Sequence, residues 1–317
     1  MEQKILKVSK QMQSQVPLKS LLIGYLLAIV TTLIWAGNFI IARALHESIL
    51  PVGLAFWRWT IATVSLGPFA IWTTIKDWKS LQINLPYLSI SALLGVTVFN
   101  TLIYMAGHTS QAINLALIAA ASPIFVVIMS RLFYNEAFSV KQTRGILIVL
   151  VGVVLLITEG SLGNLLSASF AIGDLYMLAA ALIFAIYTML VKRKPRAIRM
   201  ITFTFSTFCL GLLFLAPFYA LECLIYHPVN FNASIILALI YVGVLSSVVA
   251  FLAWNKAIDL IGPSRTALTY YLIPIFSGIF AWIFLGEAIV PVHIFSMFLI
   301  VIGIITTNQT GEKFVKL

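Results

Sequence analysis

The chain has 317 residues, of which 61% are hydrophobic and only 9% charged, and its mean hydropathy is +1.05. A soluble domain of this length needs far more charge to coat its surface. The formal net charge of +10 invites a nucleic-acid reading, but the basic residues are sorted by loop along the chain, which excludes it.

The apolar residues fall into ten runs, at 20–42, 52–74, 85–106, 112–134, 143–160, 172–191, 200–221, 234–256, 265–285 and 289–308. A helix of about 20 apolar residues spans the roughly 30 Å hydrocarbon core. Barrel strands would alternate apolar with polar and be about half as long. The ten predicted spans use most of the chain and leave no room for a soluble domain. A cleaved signal at the first span is not expected, since its apolar run exceeds a signal core.

The tail before the first span carries Lys4, Lys7, Lys10 and Lys19. Alternate connectors carry Lys76 and Lys79, then Arg131, Lys141 and Arg144, then Lys192, Arg193, Lys194, Arg196 and Arg199, then Lys256 and Arg265; Lys313 and Lys316 end the chain. These are 18 of the 20 basic residues. The bias predicts that both termini are cytoplasmic. Of the remaining two, Arg58 lies within the second span and Arg43 at the opposite end of the first. Cys209 and Cys223 lack metal spacing, and Cys209 reads as a small packing residue.

The chain repeats itself. At an offset of 149, Leu33–Ala36 (LIWA) lies over Leu182–Ala185 (LIFA), and Gly24, Pro68 and Phe69 fall on Gly173, Pro217 and Phe218. At an offset of 151, Pro123–Ala137 (PIFVVIMSRLFYNEA) lies over Pro274–Ala288 (PIFSGIFAWIFLGEA). The expected organisation is a cytoplasmic tail 1–19, a first repeat 20–160, a second repeat 172–308 and a tail 309–317. Five spans per half is an odd number, so the halves enter the membrane from opposite sides. Such inverted repeats are the architecture of secondary transporters, with the substrate site near the midplane at the repeat interface.

The motifs LIWAGNFIIAR in span one, FWRWTIA in span two, ASPIF and NEA in span four, and IPIFSGIFAWIFLGEA in span nine resemble those of EamA-type members of the drug/metabolite transporter superfamily. The resemblance covers essentially the whole chain. It implies an all-α integral membrane fold of ten helices in two inverted five-helix repeats, and transport of amino acids, related metabolites or drugs. Asn135 departs from the pattern where Gly286 stands in the second half.

Candidate site residues follow from intramembrane polarity, because a polar group in lipid must find a partner or a wet cavity. Span one places Thr31, Trp35 and Asn38 on one face, and span three places Thr97, Asn100 and Tyr104 at helical spacing. Phe184 and Tyr187 in span six, Ser247, Phe251 and Trp254 in span eight, and Tyr270 and Tyr271 in span nine complete the set. Amide and phenol groups would fix the polar end of an amphipathic small molecule while rings cover its apolar part. For any single residue, helix–helix hydrogen bonding is an equal alternative. Pro123 and Pro274 occupy matching positions in spans four and nine. As helix kinks they would free the carbonyls of Ala119 and Tyr270.

Arg58 and Glu287 each lie at the unfavourable pole of their own helix dipole and are expected to pair as a gate; snorkelling of Arg58 to headgroups is the alternative. Arg131 would serve Glu136 locally. His46, His108, His227 and His293 lie at connectors or span ends, where pH sensing competes with a plain interfacial role. Gly37 and Gly286 read as helix-packing glycines. No acidic residue lies near the middle of a span, which argues against a carboxylate proton relay. No metal cluster, nucleophile elbow or phosphate loop is present, and no cofactor is expected.

The function expected is a secondary transporter in the inner (plasma) membrane of a bacterium, moving a small metabolite outward by alternating access, as a monomer or homodimer. An uptake carrier for a nucleoside-like or sulfonium compound such as S-adenosylmethionine is the alternative. A channel or a membrane-embedded enzyme fits less well.

Overall fold

The computed structural model describes residues 18–122, 124–125, 129, 140–158, 160–161, 171–226, 229–261, 266 and 269–308. Pro123, Arg131, Asn135, Glu136, Arg265 and His227 lie outside them. Every regular element among the described residues is helical.

In chain order the α-helices are α1 (Leu18–Ala44), α2 (Pro51–Lys76), α3 (Trp78–Ile83), α4 (Leu85–Ala92), α5 (Phe99–Gly107), α6 (Ala112–Ala119), α7 (Val140–Ile157), α8 (Ile172–Lys192), α9 (Met200–Tyr226), α10 (Ala233–Ile240), α11 (Ala250–Ile261), α12 (Ile273–Phe280) and α13 (Pro291–Asn308). Two π-helical segments, Leu93–Val98 and Tyr241–Val249, join α4 to α5 and α10 to α11. Five of the resulting rods are long and apolar enough to cross a membrane: Leu18–Ala44, Leu85–Gly107, Ile172–Val191, Met200–Tyr226 and Ala233–Trp254. α2 matches them in length but carries Arg58, buried, in its first half.

Local chemistry explains several boundaries. Pro51 opens α2 at a position where its missing N–H costs nothing. Asn232 caps α10, its side chain accepting the Ile235 N–H at 2.9 Å. Gly286 ends the helical segment after α12 with φ of 67°, and a Cβ there would meet nothing within 4 Å. Gly286 is thus a left-handed cap and not the packing glycine expected. Gly37 is one: an added Cβ would strike the Tyr241 hydroxyl.

The prolines also depart from expectation. Pro274 lies in the first turn of α12, behind a 3₁₀ turn at Tyr270–Leu272. There its absent N–H leaves no gap, and the Tyr270 carbonyl accepts the Ile273 N–H. Among the described residues, the prolines inside helices are Pro68 in α2 and Pro217 in α9, the pair the self-comparison aligned.

The molecule is polar within and apolar without. Thr31, Asn38, Arg58, Thr97, Asn100 and Ser247 are buried, whereas Phe69, Trp72, Phe218, Trp282 and Phe298 are largely exposed. That arrangement suits lipid as the solvent, since polar groups turned inward can meet protein partners while the outer rings face hydrocarbon. α1 packs on α11 and α12, α8 on α5 and α6, α2 on α9, and α7 on α13.

Candidate functional site

A cavity of about 190 Å³ lies among these helices. Of the expected residues, Trp35, Asn38, Asn100, Phe184, Tyr187, Ser247, Phe251, Trp254 and Tyr270 line it. Thr97, Tyr104 and Tyr271 do not. Thr97 donates to the Gly211 carbonyl of α9 at 3.2 Å, a helix–helix bond. Tyr104 is fully buried behind the wall, and Tyr271 packs against the apolar core.

The π segment Leu93–Val98 separates Thr97 from the face of Asn100, whereas Tyr104, one turn beyond Asn100 on the same α5, meets Arg58 and Asn38 behind the wall. An i→i−5 turn inserts an extra residue, which rotates the following face by about 100°. Asn100 bonds back to the Gly95 carbonyl at 3.3 Å, and Ser247 bonds back to the Val242 carbonyl at 2.8 Å. Each is an i→i−5 contact inside or beside a π segment, one in each half. Gly95 lets the Tyr187 ring approach, for an added Cβ would overlap it.

Arg58 holds the polar wall together. Its Nε donates to Ser247 Oγ at 2.8 Å, and Nη1 donates to Asn38 Oδ1 at 2.8 Å and to the Tyr104 hydroxyl at 2.9 Å. The Tyr104 hydroxyl donates in turn to Asn38 Oδ1 at 3.1 Å. The guanidinium carbon lies 5.0 Å from the Trp59 ring centroid. Helices α1, α2 and α5 and the Tyr241–Val249 segment therefore meet at one cation.

Much of the remaining wall is aromatic. Trp35 lies 5.1 Å from Trp254 and 6.0 Å from Tyr270, ring to ring, and Phe184 stacks on Tyr270 at 6.2 Å with a 20° tilt. Trp35 Nε1 donates to the Ser246 carbonyl at 3.1 Å, so its indole is fixed. Trp59 and Phe208, 4.6 Å apart, also line the cavity. Neither belongs to a polar stripe, so intramembrane polarity does not point to them. The signal available was the flank of Arg58 itself, in Trp57-Arg58-Trp59.

The expected Arg58–Glu287 pair is not formed. Glu287 instead accepts the N–H groups of Ala112 and Ile113 at 3.0 and 3.5 Å, capping α6, and lies 3.9 Å from Arg43 Nε. Arg43 Nη1 also reaches the carbonyls of Gly107 and His108, each at 3.3 Å. The carboxylate is thus at the end of its own helix but at the positive end of a neighbouring one. Glu222, not anticipated, repeats the device on α2, accepting from Val52 and Gly53 at 3.2 and 2.7 Å. His108 lies against His46, rings 6.0 Å apart. Burial first, then the charges of His46 and Arg43, holds its imidazole below the ordinary value of 6.5. Among the described residues, no group of three metal-ligating side chains occurs.

Comparison with known proteins settles the family. The EamA-like transporter family matches twice, over residues 22–158 and 171–309. The chain belongs to this family. It is a membrane transporter of the drug/metabolite superfamily. An uncharacterized transporter of Archaeoglobus fulgidus is 31% identical over 269 residues, covering 83% of this chain and 89% of its own. YdfC, an uncharacterized transporter of Bacillus subtilis, is 30% identical over 80% of each chain. A probable terminal-alkyne amino-acid exporter of Streptantibioticus cattleyicolor is 21% identical, over 89% of this chain and 92% of its own. A crystal structure at 20% identity superposes with a TM-score of 0.60, covering 92% of this chain and 99% of the other, and so shares the fold.

Proposed function

We propose that this transporter is a ten-helix secondary carrier built as two inverted five-helix repeats, with both termini cytoplasmic, that exports a small amphiphilic metabolite of the amino-acid class across a bacterial plasma membrane. The observation that carries the reading is the make-up of the cavity. Its wall draws Trp35, Asn38, Arg58 and Asn100 from the first family repeat, and Phe184, Tyr187, Ser247, Trp254 and Tyr270 from the second. A site shared by two repeats is one that rocking of the repeats opens to alternate faces.

The helix pairings support a two-fold relation between the halves. α1 with α11 and α12 in one direction corresponds to α8 with α5 and α6 in the other, as a two-fold relation requires. The cavity is small against the roughly 300–1,000 Å³ of sites for drug-sized ligands, which favours a metabolite. The amino-acid class has the further support of the name given to the Streptantibioticus relative.

The test is counterflow in proteoliposomes with a panel of labelled amino acids and their derivatives, with Trp35→Ala and Trp254→Ala in parallel. The expected result is saturable, competable flux that falls at least about tenfold in both variants. Flux that is unsaturable, or indifferent to both substitutions, would remove the carrier from this cavity.

A further inference from the structure

Arg58 is only 5% exposed and lines the cavity, yet every group it bonds is neutral: a serine hydroxyl, an amide oxygen and a phenol. The ion pairs among the described residues are Arg43–Glu287, His46–Glu47 and Arg199–Asp77, and none involves it. No described residue lining the cavity is acidic. An arginine keeps its charge under all accessible conditions, and a buried charge without a counter-charge is costly. Nε and Nη1 are engaged. Of the five guanidinium donors, the two on Nη2 have no hydrogen-bonded partner among the described residues.

Resting on the carrier reading of this cavity, we propose that its substrates are small organic carboxylates with an apolar body, and that Arg58 is the group that recognises the carboxylate, through Nη2. The site then divides cleanly. The carboxylate neutralises the guanidinium, and a charge-assisted hydrogen bond is about twice as strong as a neutral one. The apolar body lies among Trp35, Trp254, Tyr270 and Phe184. A bidentate pairing would require Ser247 or Asn38 to release its bond, so the resting geometry suits one carboxylate oxygen. An α-amino acid fits the same frame: its ammonium has no carboxylate to meet and is left to the ring faces. A cationic sulfonium or amine without an acid group would instead add a second positive charge to a site that already holds one.

The experiment uses the purified full-length protein in detergent and reads its own fluorescence, since Trp35, Trp59 and Trp254 line the cavity. Two matched triplets are titrated: 3-methylbutanoate, its amide and isopentylamine; and phenylacetate, its amide and phenethylamine. The expected result is a saturable response to at least one acid, with its amide and amine at least about tenfold weaker, equivalent to about 1.4 kcal/mol. In Arg58→Gln, accepted only if it elutes as a monodisperse peak, that preference should fall to about threefold or less, and Arg58→Lys should lie between. Amide or amine binding as tightly as the acid, a saturable response to neither acid, or an undiminished preference in a folded Arg58→Gln would each overturn the proposal. The wild-type comparison decides the matter even if no variant folds. Proteoliposome counterflow of the bound acid separates the two claims. An acid that binds with the stated preference but is not carried leaves Arg58 as its receptor and refutes transport through the site. Carriage of the amines, lost in Trp254→Ala and without acid binding, does the reverse.

Discussion

Ser247 accepts the Nε–H of Arg58 at 2.8 Å while giving its own hydroxyl hydrogen to the Val242 carbonyl, also at 2.8 Å. One hydroxyl thus satisfies a buried cation from the first repeat and a carbonyl of its own π segment. Ser247→Ala removes both services. A buried donor left unsatisfied costs about 1–3 kcal/mol, and more when it is charged, so the thermal midpoint should fall. Flux should fall as well, because the guanidinium loses its position. Ser247→Thr keeps the hydroxyl and should recover most of both. Thermal unfolding and counterflow on the three proteins check this; an alanine variant as stable as the parent would show that the bond adds nothing.

Gly95 borders the cavity where the Tyr187 ring lies against its backbone. A methyl group there would overlap the ring, and both belong to well-packed, membrane-spanning rods. Tyr187 must then move, and the open side is the cavity. Gly95→Ala is expected to raise KM several-fold with a smaller effect on the folded yield, and the double variant Gly95→Ala, Tyr187→Phe should not restore it, since the ring and not the hydroxyl is the obstacle. Tyr187→Leu in place of Phe should restore it in part. Counterflow kinetics across this set distinguish steric filling from a lost hydrogen bond.

Run length and repetition were legible because both are imposed by simple physics. Bilayer thickness sets the length of Leu18–Ala44 and Met200–Tyr226, and duplication leaves Pro68 over Pro217. Asn38, Asn100 and Ser247 were legible as inward-facing residues because an intramembrane polar group needs a partner, and they line the cavity. Thr97 was misplaced because a π turn breaks the 3.6-residue period without altering the sequence pattern. Arg58 was misassigned for a different reason. Dipole reasoning applied to a helix in isolation asks for a carboxylate, whereas in the fold Arg58 meets an amide, a phenol and a hydroxyl from other helices, and Glu287 finds the N-terminus of α6. Long-range partners of this kind leave no spacing to read.

Glu287 and Arg43 give an ordering of effects. Glu287 satisfies two otherwise unpaired amides at the start of α6, while its contact with Arg43 is 3.9 Å long and Arg43 is partly exposed. Loss of a helix cap costs about 0.5–2 kcal/mol, and a long, partly exposed ion pair contributes less than about 1 kcal/mol. Destabilisation should therefore run Glu287→Ala, then Glu287→Gln, then Arg43→Ala, read as thermal midpoints. A larger loss in Arg43→Ala than in Glu287→Ala would mean that Arg43, through Glu287 and the carbonyls of Gly107 and His108, and not the cap, is what holds this end of the bundle.

Asp77 joins the connector after α2 to the start of α9. Its carboxylate receives Arg199 Nη2 at 3.0 Å, Arg199 Nε at 3.2 Å and the Thr202 hydroxyl at 2.9 Å. The Arg199 hydrogen bonds, opposed in part by desolvation and aided by Thr202, hold the carboxyl below its ordinary 3.8. A depressed carboxyl value contributes stability that is fully present above the unfolded value and is lost as pH falls through the folded one. The contribution should therefore be constant from neutral pH down to about 4 and vanish below it. Arg199 is half exposed, so the pair is also screened by salt. The difference in thermal midpoint between the parent and Asp77→Asn, followed from about pH 7 to pH 3, should be flat and then close, and should shrink in high salt. A difference that instead closes between about pH 7 and 5 would mean that the fold raises the Asp77 carboxyl above its ordinary range and does not lower it.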